Sequence, residues 1–97
     1  MAEYRERFVQ VTFSGGTPPA DDVLKPLFDS ALDWLKIAPN AWILWTNKDP
    51  IVWLPFIQRV LPTEGSVLIA ELNLKSVSEN YTGWQSQSIW DWFNKHR

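Results

Sequence analysis

Trp34-Leu35-Lys36-Ile37-Ala38-Pro39-Asn40-Ala41-Trp42-Ile43-Leu44-Trp45-Thr46 is the stretch on which the fold turns. It is too apolar and too rich in β-forming residues for a loop, and Pro39-Asn40 divides it into strands over 34–38 and 41–46. Proline and asparagine at the middle of a four-residue turn suit types I and II, whereas a two-residue hairpin prefers Asn-Gly. The sequence therefore points to a turn wider than two residues.

Toward the N-terminus, Val9, Val11 and Phe13 alternate with Gln10, Thr12 and Ser14 in the period of a half-buried strand over 7–14. Gly15-Gly16-Thr17-Pro18-Pro19 breaks that strand, and Asp21-Asp22 suits the first turn of a helix, where negative charge meets the positive end of the dipole. Val23, Leu24, Leu27, Phe28, Ala31, Leu32 and Leu35 recur at helical spacing, and Pro26 must lie near the helix start or kink it. Toward the C-terminus, Asp49 reads as a cap and Pro50 as the first residue of a second helix. Its expected buried face carries Ile51, Leu54, Ile57 and Leu61, and Pro55 keeps it short or bent. Ser66 to Leu74 reads as a fourth strand, Lys75 to Gly83 as a loop, and Gln85 to Lys95 as a terminal helix.

The order is β, α, β, β, α, β with one helix added. With 97 residues there is room for one core, and short connections with right-handed crossovers fold this order most simply as an α+β, ferredoxin-like antiparallel sheet with two helices on one face. Residues 1–97 are read as a single domain. Seven tryptophans among 97 residues supply core volume that so small a chain otherwise lacks.

Composition narrows the function. The absence of cysteine removes disulfides, thiolate metal sites and cysteine nucleophiles, and fits a cytoplasmic protein. The N-terminal residues resemble no signal peptide, and no apolar run is long enough to span a bilayer. A formal charge of −2 with scattered Lys and Arg offers no basic patch, so tight nucleic-acid binding is not expected.

No convincing active site emerges. His96, the only histidine, stands beside the C-terminus and reads as a solvated residue. Asp21 and Asp22 are explained by the helix start. Glu71 lies within an apolar strand and reads as a residue of the open sheet face or of a dimer contact. Ser14-Gly15-Gly16-Thr17 sits between strand and helix, where backbone amides can hold phosphate, but it lacks the lysine of a P-loop. No metal ligand, catalytic residue or cofactor is assigned.

The element order, Phe13-Ser14 at the end of the first strand, Trp34 and Trp42 in the hairpin, the apolar strand Val67 to Leu72, Gly83-Trp84 and Trp90-Asp91-Trp92 resemble the SinR-like group of the VapD and CRISPR-associated small endoribonuclease superfamily. The resemblance implies a ferredoxin-like subunit that pairs through its sheet. Nuclease members of that superfamily carry a metal-binding aspartate at the end of strand one; the matching position here is Ser14, a poor ligand for a hard divalent cation. The expectation is a non-catalytic dimeric interaction module of CRISPR-associated or toxin–antitoxin type. The alternatives are a residual metal-dependent endoribonuclease using Glu71 or Asp22, and a single-strand binder that stacks bases on the sheet.

The expected dimer surface is the sheet face away from the helices. If Val9, Val11 and Phe13 face the helices together with Leu68, Ala70 and Leu72, then Phe8, Gln10, Thr12, Val67, Ile69 and Glu71 lie opposite. The competing arrangement has the terminal helix folding back over this face with Trp90 and Phe93.

Overall fold

The computed structural model describes residues 5–72 and 87–96. Its elements are β1 (Arg7–Ser14), α1 (Asp21–Phe28), β2 (Asp33–Ala38), β3 (Ala41–Thr46), α2 (Pro50–Gln58), β4 (Ser66–Leu72) and α3 (Gln87–His96). The strands form one antiparallel sheet in the order β2-β3-β1-β4. This small α+β architecture is consistent with a ferredoxin-like arrangement. The expected loop at Lys75 to Gly83 lies outside the described residues, as do Asn73 and Leu74 of the expected fourth strand.

The hairpin turn is tighter than its residues suggest. Ala38 pairs with Ala41, so Pro39-Asn40 is a two-residue connection, and a register shift between Lys36 and Ala38 takes up the irregularity. Asn40 spends its polar groups on β1: its Nδ2 donates to the Phe13 carbonyl at 3.0 Å, and its own carbonyl accepts the Phe13 N–H at 2.8 Å. Docking on the central strand thus does the work that Asn-Gly turn chemistry does in a free hairpin.

α1 ends at Phe28, seven residues before the end of its apparent periodicity. The Leu32 N–H donates to the Trp45 carbonyl at 2.8 Å, so the chain has already joined the sheet there, and Leu35 belongs to β2. Asp21 and Asp22 occupy the first turn as expected, but the N-cap is Ala20. Pro26 and Pro55 lie inside helices of only eight and nine residues.

Two buried clusters follow from strand alternation. The larger joins Val9, Val11, Phe13, Trp42 and Leu44 with Leu24 and Phe28 of α1 and Trp53 and Ile57 of α2. The buried face of α2 thus runs through Trp53 and Ile57, not through Ile51, which is 70% exposed. α2 is apolar on nearly every side, so spacing alone does not select the face that packs. The smaller cluster uses the other phase: Phe8 and Ile43 are buried with Phe93 of α3, and Trp45, Leu72, Ile89, Trp90 and Trp92 pack around them.

Candidate interaction surface

Ser14 closes β1 and is exposed. Its hydroxyl oxygen lies 3.3 Å from that of Ser66, across the first pair of the β1–β4 ladder. Gly15 and Gly16 follow with φ of 74° and 87°, the left-handed region that glycine adopts freely. A Cβ on Gly15 would stand 2.6 Å from the Glu64 carbonyl oxygen, so the turn needs glycine for space as well as for φ.

Of the two carboxylates named as substitute metal ligands, Glu71 is engaged and Asp22 is exposed. Both oxygens of Glu71 accept from the Arg5 guanidinium at 3.0 Å, and buried Arg7 lies 3.9 Å from the same carboxylate. Arg7 also pairs with Asp49, which caps α2 by position but turns its side chain toward the arginine and makes no capping hydrogen bond. Asp21 holds Lys36 of β2 at 2.8 Å, while Asp22 beside it is exposed. Among the described residues no three metal-ligating side chains gather.

The expected dimer face requires correction. β1 and β4 pair Val9 with Glu71, Val11 with Ile69 and Phe13 with Val67. Cross-strand partners share a face, so Val67, Ile69 and Glu71 stand on the side of α1 and α2. Phe8, Gln10 and Thr12 stand on the other side, opposite Leu72, Ala70 and Leu68. The six residues are thus divided between two faces. β4 is apolar in both phases, and only its pairing with β1 fixes which phase points inward. The face carrying Phe8 is moreover partly covered: Phe93 lies 5.3 Å and Trp92 5.8 Å from its ring, between centroids.

Large apolar side chains remain exposed along α2 and β4. Ile51 is 70% and Leu68 66% exposed, and Val52 and Phe56 are also open to solvent. Pro50, Ile51 and Leu54 of α2 face Val67 and Ile69 of β4 across a groove of about 340 Å³. Among the described residues β4 is an outer strand of the sheet, with Val67 and Ile69 on the α2 side and Leu68 on the other.

His96 is not a solvated terminal residue. Its Nε2 donates to Asp33 Oδ2 at 2.8 Å, its ring stacks on Trp45 at 5.0 Å, and its side chain is only 13% exposed. The same carboxylate oxygen accepts from Trp92 Nε1 at 3.0 Å and Lys95 Nζ at 3.4 Å, while Asp33 Oδ1 accepts the Trp34 N–H. Burial pushes the Asp33 carboxyl up, but the bonds from His96, Trp34 and Lys95 outweigh it and hold the group below its ordinary value. Three donors from one turn of α3 thereby fasten that helix to the start of β2. Sequence reading missed this clasp because Asp33 and His96 lie 63 residues apart. The one available signal was the i, i+3, i+4 spacing of Trp92, Lys95 and His96, which puts three donors on one helical side.

Half of the most specific part of the family resemblance, Gly83-Trp84, lies outside the described residues, while Trp90-Asp91-Trp92 lies on α3. No helix among the described residues is long and apolar enough to cross a membrane. Comparison with known proteins finds no matching family model, no matching curated protein and no matching solved structure.

Proposed function

We propose that the chain is a non-catalytic, dimeric interaction module with a ferredoxin-like βαββαβ core, the extra helix α3 laid on the second sheet face. The observation that carries this reading is the apolar groove between α2 and β4. Contiguous exposed apolar surface marks interfaces more often than scattered residues do, and here Pro50, Ile51 and Leu54 line one groove with Val67 and Ile69 of a strand that is outer among the described residues. The CRISPR-associated or toxin–antitoxin setting in the cytoplasm is what the resemblance and the cysteine-free composition suggest.

Both alternatives meet specific obstacles. A metal nuclease would need carboxylates gathered round a cation, yet Glu71 is engaged by Arg5, and Asp22 belongs to no group of three metal-ligating side chains among the described residues. A binder that stacks bases on the sheet would need that face open, whereas Trp92 and Phe93 pack on Phe8. Incubation with labelled single- and double-stranded RNA and DNA in Mg²⁺ or Mn²⁺ tests the first, with no cleavage expected. Metal-dependent cleavage abolished by Glu71→Ala would replace the proposal with the nuclease.

A further inference from the structure

The five residues Ser66-Val67-Leu68-Ile69-Ala70 have the same side-chain classes read from either end: small, β-branched, leucine, β-branched, small. They occupy β4, an outer strand of the sheet among the described residues. A two-fold interface presents the same surface on both subunits and must be complementary to itself. We propose that β4 is the dimerisation edge, two copies pairing antiparallel about an axis through Leu68 so that their sheets run on as one. This rests on the dimeric reading above and names the surface that makes it.

The pairing solves several problems at once. On the axis, Leu68 meets the partner subunit's Leu68 and loses the 66% exposure it has in one chain. On the other face, Val67 lies opposite the partner subunit's Ile69, and Ile69 opposite the partner subunit's Val67, β-branched pairs that suit adjacent strands. Ser66 and Ala70 then meet as small residues, so no bulky side chain is forced against another. The only charge in β4, Glu71, falls outside this five-residue core and is already held by Arg5.

A two-fold axis perpendicular to the sheet keeps α2 of both copies on the same side, which brings Ile51 and the groove beside Val67 and Ile69 toward their counterparts. Outer strands that must stay single are usually guarded by lysine, proline or a bulge. Residues 66–72 contain neither lysine nor proline, and their ladder with β1 runs without a register shift.

The absence of cysteine makes a direct test simple. Leu68→Cys places one thiol per chain on the axis, and mild oxidation should convert the protein to a disulfide-linked dimer much faster than it does Val23→Cys, a control on the exposed side of α1. Leu68→Lys opposes two like charges and removes the central apolar contact, and should weaken the dimer by about a hundredfold. It should keep the wild-type circular dichroism, since the side chain is largely solvated in one chain. A wild-type dimer with unaltered Leu68→Lys affinity and no preferential Leu68→Cys crosslinking would overturn the β4 edge while leaving the dimeric reading standing. A wild-type monomer at about 50 µM would overturn both.

Discussion

The imidazole of His96 and the carboxylate of Asp33 lie 2.8 Å apart, joining the last described turn of α3 to the first residue of β2. Because hydrogen bonds hold the Asp33 carboxyl below its ordinary value, its contribution is present above the unfolded pKa and disappears as pH falls through the folded one. Asp33→Asn should therefore cost about 1–2 kcal/mol near pH 7, and the difference from wild type should fade below about pH 4. Urea titrations at several pH values, followed by tryptophan fluorescence, measure it. A constant difference between pH 7 and 3 would show that the carboxylate charge is not what fastens α3.

Trp53 is 1% exposed, and its Nε1 has no hydrogen-bond partner among the described residues. Trp53→Phe gives up ring volume but also removes a buried unsatisfied N–H, so it should cost much less than the roughly 3–5 kcal/mol expected for Trp53→Ala. Denaturant midpoints of the two variants settle the comparison, and equal losses would mean that the indole N–H is satisfied in solution.

Gly15 and Gly16 separate a conformational effect from a steric one. Both have positive φ, but among the described residues nothing lies within 4 Å of a Cβ on Gly16, while one on Gly15 would meet the Glu64 carbonyl. Gly16→Ala should cost about 1 kcal/mol and Gly15→Ala distinctly more. Thermal unfolding of both variants tests the order, and a reversed order would place the turn differently against the 62–65 segment.

Nucleic-acid affinity should be weak, since the chain carries nine basic against eleven acidic residues and Arg5, Arg7, Lys36 and Lys95 all have carboxylate partners. Fluorescence anisotropy with a labelled single strand at about 150 mM salt should give no binding at low micromolar protein. Tight binding there would favour the single-strand reading.

Strand β1, the hairpin and the start of α2 are legible because each carries its own local signal: alternation in Val9, Val11 and Phe13, the Pro39-Asn40 break, and Pro50 after Asp49. What is not legible depends on partners distant in sequence. The phase of β4 is decided by its pairing with β1, since Val67 and Ile69 are as apolar as Leu68 and Leu72. The packed side of α2 is hidden for the same reason, and α1 appears too long because Leu35 in β2 happens to continue a helical spacing. The candidate surface is half legible: the sequence marks Val67 and Ile69, but groups them with Phe8, Gln10 and Thr12 of the opposite face. Alternation alone sends Leu68, the residue on the proposed axis, to the helix side, whereas its pairing with Thr12 puts it on the other.

Sedimentation equilibrium of the unmodified chain at about 50 µM tests the dimeric module most directly, because mass does not depend on which surface pairs. The account predicts a species of twice the 11.3 kDa chain mass, dissociating only on dilution. A single species at 11.3 kDa would contradict it, leaving the apolar groove between α2 and β4 without a second copy beside it.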